Sequence, residues 1–357
     1  MAYFFQLPQI IQLTEDQQTA LYDSNPIAVS GGAGTGKTVV SLWRHIQNIE
    51  TLNKFSVLMT FTKTLGQYLS LSLGNIEHKN VFFLKNFPLN NNWKADEIII
   101  DEAQDLTFET IQAIKNHGRD ISYGADFNQQ LYSNTINSDD IQLLFPNNEP
   151  YNLQQNFRNT YHILNFTKSV LYNFFINQST LDELKDENIG AKPILSIANS
   201  FEKEIEKIIE IINEFKSETH NIAILLPFQD GITSQGTIWD YSYEQCVDKY
   251  YEALINRGIP CSCYYNSMQI DNIQINNIHI TTFKSAKGLE FDTVIIPKLD
   301  KFQSNIQNIR VINEEDYYVA FTRAKTNLFL ISSNELGFIP QNTLDIEYIN
   351  NENNYLY

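Results

Sequence analysis

Residues 26–40 read Pro26-Ile27-Ala28-Val29-Ser30-Gly31-Gly32-Ala33-Gly34-Thr35-Gly36-Lys37-Thr38-Val39-Val40, and this stretch decides the fold class. Its apolar start, Pro26–Ser30, reads as a short strand, and Val39–Ile49 reads as the helix that follows. Between them Gly31–Thr38 has the form G-x-x-x-x-G-K-[ST]. Such a loop grips phosphate oxygens with backbone N–H groups at a helix N-terminus. In that role Lys37 reaches the outer phosphates and Thr38 holds Mg²⁺. Further on, Ile98-Ile99-Ile100-Asp101-Glu102-Ala103-Gln104-Asp105 is an apolar strand ending in carboxylates. Asp101 suits a second contact to Mg²⁺, and Glu102 suits a residue that orients or deprotonates a water. The two segments together point to nucleoside triphosphate hydrolysis.

Working outward, Phe55–Phe61, Ala95–Ile100 and Asp120–Tyr123 read as further strands of the same set. A second set begins after Pro150, with strands expected at Asn221–Pro227, Ile259–Tyr265, Ile278–Thr282, Thr293–Pro297 and Asn327–Ser332. Phe201, Ile205, Ile208, Ile209, Ile212 and Phe215 recur at helical spacing, so Ser200–Lys216 reads as an amphipathic helix with a core-facing stripe. Alternating strands and helices predict an α/β protein with parallel sheets. Asp230–Trp239 reads as a loop, and the polar tail 350–357 as loosely held.

The chain has 357 residues, 43% of them hydrophobic, enough for two packed domains. A net charge of −17 argues against a protein that coats nucleic acid, because phosphate neutralisation needs clustered Lys and Arg. It leaves room for a local basic groove and for a basic protein partner. Cys246, Cys261 and Cys263 are too few and too irregular for a disulfide scaffold or a zinc site. The N-terminus Met1–Gln6 lacks a basic stretch followed by an apolar run, so no signal peptide is expected. Without a bilayer-spanning apolar run, no membrane role is expected and the cytoplasm is the expected compartment.

Four further segments are hard to explain as packing: Ala125-Asp126-Phe127-Asn128-Gln129, Asn156-Phe157-Arg158, the run Thr281 to Phe291 containing Lys287-Gly288-Leu289-Glu290, and Tyr318 to Lys325 containing Thr322-Arg323-Ala324. Asn156-Phe157-Arg158 is read as opening a helical stretch. With these motifs in order, the chain resembles the UvrD/Rep-type superfamily 1A helicases over about residues 10–335. The resemblance implies two RecA-like domains, 1–148 and 149–357, with ATP in the cleft between them.

It further implies roles for individual residues. Gln17 matches the glutamine that reads the adenine edge, and Phe157 falls where an aromatic ring stacks on the base. Gly32, Ala33, Gly34, Thr35, Gly36, Lys37 and Thr38 hold phosphates and Mg²⁺ with Asp101, while Gly288 and Glu290 lie with the nucleotide near the ribose. Lys37, Glu102, Gln129, Arg158 and Arg323 form the catalytic set. In it, Gln129 senses the γ-phosphate and both arginines are contributed by the second domain. An arginine supplied on closure is worth ~10³–10⁵ in rate and couples hydrolysis to motion. Phe61, Thr62, Thr282 and Lys284 match segments that touch single-stranded DNA, and Tyr132 stands in for a missing platform.

The chain departs from the family in three ways, one being Val39 where many relatives have a basic residue. Large inserted subdomains are absent, since the gap from Thr62 to the acidic strand and that from Tyr265 to Thr281 are each too short to hold a domain. Where the family places a tryptophan on which bases stack, this chain has Asn134. The primary expectation is an ATP-driven motor on single-stranded nucleic acid, DNA favoured over RNA, as translocase or helicase. The alternative is an ATPase switch subunit that controls a partner nuclease or effector, as in phage defence, without unwinding.

Overall fold

The computed structural model describes residues 3, 7–73, 80–88, 93–131, 134–174, 176–229, 244–264, 275–307 and 312–349. Tyr132, the Asp230–Trp239 loop and the tail 350–357 lie outside the described residues. The chain divides into two compact units. One comprises Phe5–Arg158 with Lys287–Leu289, the other Met1–Phe4, Asn159–Ala286 and Glu290–Tyr357.

The first unit is built on a six-stranded sheet of β1 (Ile27–Gly31), β2 (Ser56–Thr60), β3 (Val81–Phe83), β4 (Ala95–Ile100), β5 (Gly118–Ala125) and β6 (Glu149–Leu153), in the order β3-β2-β4-β5-β1-β6. Every pair is parallel. Val57, Met59, Ile98 and Ile100 are fully buried, as the near-continuous apolar runs of a covered parallel sheet require. Helices Lys37–Glu50 and Phe108–Lys115 pack on it. Because all strands run one way, the carboxyl ends of β1, β4 and β5 share an edge, the side where α/β sheets place ligands.

The second unit holds β7 (Ile194–Ile197), β8 (Ile222–Leu226), β9 (Ser262–Tyr264), β10 (Ile278–Thr282), β11 (Phe291–Ile296), β12 (Ala324–Ser332) and β13 (Asp345–Tyr348), ordered β13-β7-β12-β11-β8-β10-β9 and again parallel. The expected amphipathic helix runs Phe201–Phe215, started by the Ser200 side chain, which accepts from the Lys203 N–H. Ile205, Ile208, Ile211 and Ile212 are buried in the core beneath it, and Ile209 packs at the margin. Two parallel α/β sheets flanked by helices are the architecture expected of RecA-like domains.

The division differs from the one expected at 148/149. Glu149–Leu153 pairs with β1 from Ile27↔Glu149 to Gly31↔Leu153, so it completes the first sheet instead of opening the second. Its sequence hid this, because an edge strand with only Leu153 buried carries no apolar alternation. Arg158 consequently groups with the phosphate-loop unit, not with the second. Asn156–Arg158 is also not helical. The next helix is Tyr161–Val170, capped by the Thr160 hydroxyl, which accepts from the Ile163 N–H. Cys246 and Cys261 are buried and Cys263 half-buried, all as free thiols. Among the described residues, no helix is long and apolar enough to cross a membrane.

Candidate active site

β1 ends in Gly31, and the loop that follows turns back into helix Lys37–Glu50. Gly34 and Gly36 take φ of 74° and 88°, the left-handed region that side chains disfavour. A Cβ on Gly34 would stand 2.6 Å from the Arg158 Cβ, and one on Gly36 would run into the Gln17 amide. Gln17 is spent on this loop. Its Nε2 donates to the Thr35 carbonyl at 2.9 Å, and its Oε1 accepts from the Thr14 N–H at 3.0 Å. Thr35 Oγ1 donates to the Gly32 carbonyl, so the loop is braced from both sides. The first N–H groups of helix Lys37–Glu50 lack intrahelical acceptors, which makes this end an anion cradle. Lys37 folds over the loop, donating to the Gly31 and Gly32 carbonyls at 2.9 and 2.8 Å.

β4 delivers the carboxylates. Thr38 Oγ1 donates to Asp101 Oδ2 at 2.9 Å, joining the loop helix to the acidic strand. Glu102 follows with φ 58°, a left-handed conformation that costs a non-glycine residue about 1–3 kcal/mol and aims its side chain off the strand axis. Gln104 Nε2 donates to Glu102 Oε2 at 2.5 Å, and Gln104 Oε1 accepts from the Asp126 N–H at 3.1 Å. Gln129 Nε2 donates to Asp126 Oδ2 at 2.6 Å. Lys287 completes the ring. Its ammonium donates to Asp105 Oδ1 at 2.8 Å and to the Gln129 carbonyl, and lies 3.8 Å from Glu102 Oε2.

Burial, and then the Glu102 carboxylate beside it, push the Asp101 carboxyl well above the usual range. Burial likewise raises Asp105 to about 6 against the pull of the Lys287 ammonium. Buried carboxylates crowded together create a demand for positive charge. Thr38 and Asp101 offer hard oxygen donors, the chemistry Mg²⁺ prefers. Among the described residues no group of three His, Cys, Asp or Glu is placed to hold a metal.

Asn156–Arg158 comes to the same loop. Asn156 Nδ2 donates to the Ala33 carbonyl at 2.7 Å, the Phe157 N–H to the Gly34 carbonyl at 2.9 Å, and the Arg158 N–H to Asn156 Oδ1. Phe157 is 50% exposed. Gly288 packs against Leu65 in this unit. The structure therefore gathers Gln17, the loop, Lys37, Thr38, Asp101, Glu102, Gln129, Phe157 and Arg158. Sequence reading gave no role to Gln104, Asp105, Asp126, Asn156 or Lys287. The Gln-Asp pair after Glu102 was the available signal, being polar residues where a strand-to-helix turn needs none.

Glu290, Thr282, Lys284 and Arg323 lie on the second unit. Arg323 is 1% exposed at the end of helix Glu314–Thr322, its Nε donating to the Val319 carbonyl at 3.1 Å. Lys284 stands 3.9 Å from Asp316, and the Thr282 hydroxyl accepts from the Ser285 N–H. The half-buried Glu290 accepts through its carbonyl from the Tyr3 hydroxyl. On the first unit, half-buried Phe61 follows β2, and Thr62 caps helix Lys63–Ser72. Asn134 is exposed, with φ 62°.

Residues 262–335 match the UvrD-like helicase C-terminal domain. A protein of Acanthamoeba polyphaga mimivirus, provisionally named as an ATP-dependent DNA helicase, is 28% identical over 293 residues, or 72% of this chain and 35% of that protein. The RecB subunit of the RecBCD enzyme of Chlamydia pneumoniae is 33% identical over 75 residues, 21% of this chain and 7% of its own length. The chain thus spans about a third or less of the curated relatives it matches. Among solved structures, a Pif1 helicase studied on forked DNA aligns over 94% of both chains with TM-score 0.43 and 16% identity. The arterivirus nonstructural protein 10 helicase aligns over 91% of this chain and 64% of its own, with TM-score 0.42 and 12% identity. Both structural likenesses are loose. Residues 262–335 are thus similar to the C-terminal domain of UvrD-like helicases, and a longer stretch of the chain is similar to the viral protein.

Proposed function

We propose that the chain is an ATP-hydrolysing, superfamily 1 helicase-like motor that acts on single-stranded nucleic acid, DNA in preference to RNA. The hydrogen bond from Thr38 to Asp101 carries this reading, because it sets the phosphate loop beside the acidic strand at one sheet edge. The helicase names of its relatives support the choice of reaction and track. Backbone N–H groups of residues 32–38 bind the phosphates, and Lys37 exchanges its two carbonyl partners for outer phosphate oxygens. Glu102, steered by Gln104, orients the attacking water. Gln129 reads the γ-phosphate, and Arg158 and Arg323 offset the charge spread over its equatorial oxygens. Mg²⁺, when bound at Thr38 and Asp101, neutralises charge on the β- and γ-phosphates. Phe157 stacks on the base, while Phe61, Thr62, Thr282 and Lys284 meet the strand.

Steady-state ATP hydrolysis with and without a single-stranded oligonucleotide tests this, beside Lys37→Ala. Stimulation that disappears in the variant is the expected result. Hydrolysis that no polynucleotide raises would sink the motor reading. A second reading, an ATPase switch subunit controlling a nuclease or effector, is favoured by exposed Asn134 at the stacking position and by the charge of −17. Its signature is co-purification with a partner whose activity follows ATP.

A further inference from the structure

Asn159 is fully buried, and its side-chain amide nitrogen donates to two backbone carbonyls. Nδ2 donates to the Thr322 carbonyl at 3.1 Å and to the Ala324 carbonyl at 2.6 Å. Two carbonyl acceptors leave no ambiguity about which end of the amide faces them. These carbonyls bracket Arg323. Thr322 is the last residue of helix Glu314–Thr322, where backbone carbonyls lose their intrahelical donors, and Ala324 begins β12. The Arg323 carbonyl accepts from the Phe291 N–H at 2.9 Å, fixing the third consecutive peptide. The side chain is anchored within its own helix, Nε to the Val319 carbonyl and Nη2 to the Thr322 hydroxyl at 3.3 Å. That hydroxyl itself donates to the Tyr318 carbonyl at 2.8 Å.

We propose that Asn159 is a positioning residue for Arg323: its amide clamps the carbonyls on either side and so sets where the guanidinium is presented. At this junction the helix ladder ends and the β11 ladder has only begun at Phe291↔Ala324, so the Asn159 amide supplies donors to the two flanking carbonyls. Asn159 is also the covalent neighbour of Arg158, so one dipeptide carries one arginine and steadies the other. This inference rests on the reading of Arg323 as a γ-phosphate arginine.

The test compares wild type, Asn159→Ala, Arg323→Lys and the double variant in single-turnover and steady-state ATP hydrolysis. Misplacing a reacting group by about an ångström costs about 10²-fold, so kcat of Asn159→Ala falls by up to that factor with KM nearly unchanged. In the Arg323→Lys background the same change has a much smaller effect. The Arg323 Nε–H resonance, assigned by its loss in Arg323→Lys, gives a readout free of catalysis. It is protected from solvent exchange in wild type and exposed in Asn159→Ala. Should Asn159→Ala fold poorly, Asn159→Ser retains a short donor and shows intermediate behaviour on both readouts. An equal fall in kcat in both backgrounds, a change confined to KM, or an unaltered Nε–H resonance overturns the proposal. If instead Arg323→Lys hydrolyses ATP like wild type, the reading of Arg323 falls, and the resonance alone judges the clamp.

Discussion

The phosphate-loop unit and the unit that carries Arg323 hold their buried charges differently. In the first, Glu102, Gln104, Asp105, Asp126, Gln129 and Lys287 are tied to one another in a ring that joins the segments following β4 and β5. In the second, charged groups are held in smaller local sets. Arg323 is bound to its own helix, Lys298 lies 3.3 Å from Glu204, and Lys207 bridges Glu210 and Glu347. A shared ring makes each member depend on the rest, whereas a local anchor can be lost alone. Apart from Lys287–Leu289, the segment that matches the helicase C-terminal domain falls in the second unit, while the glycine-rich loop and the acidic strand sit in the first.

The comparison breaks most visibly at Glu102. Glu102→Gln keeps the hydrogen-bonding shape of the ring but removes the carboxylate proposed to orient the water, so single-turnover ATP hydrolysis should fall by about 10²–10⁴-fold. Nucleotide affinity, read by titration with a fluorescent analogue, should persist. Undiminished hydrolysis would remove Glu102 from the chemistry.

Next comes Lys287, whose ion pair with Asp105 is 1% exposed on both sides. Lys287→Met strands a buried carboxylate, and breaking such a pair costs about 3–5 kcal/mol. Denaturant unfolding should show that loss, with partial recovery when Asp105→Asn is added. Stability equal to wild type would mean the ring is not a cooperative unit.

The smallest effect belongs to the second unit. His279 is fully buried in β10, with Ser262 Oγ at Nδ1, and burial pushes its imidazole down to about 3. The unfolded imidazole titrates near 6.5, so below that pH the unfolded chain binds a proton that the folded one refuses. Stability should therefore decline as pH drops from 7 to 5, by about 2 kcal/mol from this group. Unfolding of wild type and His279→Gln at both pH values checks it. If the two lose stability equally, His279 is not the source.

Much of both sheets was legible in sequence because their central strands are apolar on both faces. Ala95–Ile100 and Ile278–Thr282 fall where they were read. Val81–Phe83, Ile194–Ile197 and Asp345–Tyr348 were not read, being three or four residues long without a clear period. Glu149–Leu153 escaped for lack of buried positions, and its loss moved the expected domain boundary. In the candidate site, sequence reading named residues within contiguous motifs and gave no role to Lys287 or Asn156, whose hydrogen-bond partners lie far along the chain.

By itself the sequence determined the phosphate loop, the acidic strand and the parallel α/β class. Loop conformation and strand burial depend on residues close together in the chain, and glycine spacing and apolar runs record them directly. Tertiary structure alone decided that Lys287 reaches across 182 positions to Asp105, that Gln17 spends its amide on Thr35, and that Asn159 brackets Arg323. Such contacts are set by sheet order and by the need to pair every buried polar group, and neither leaves a periodic trace in the chain.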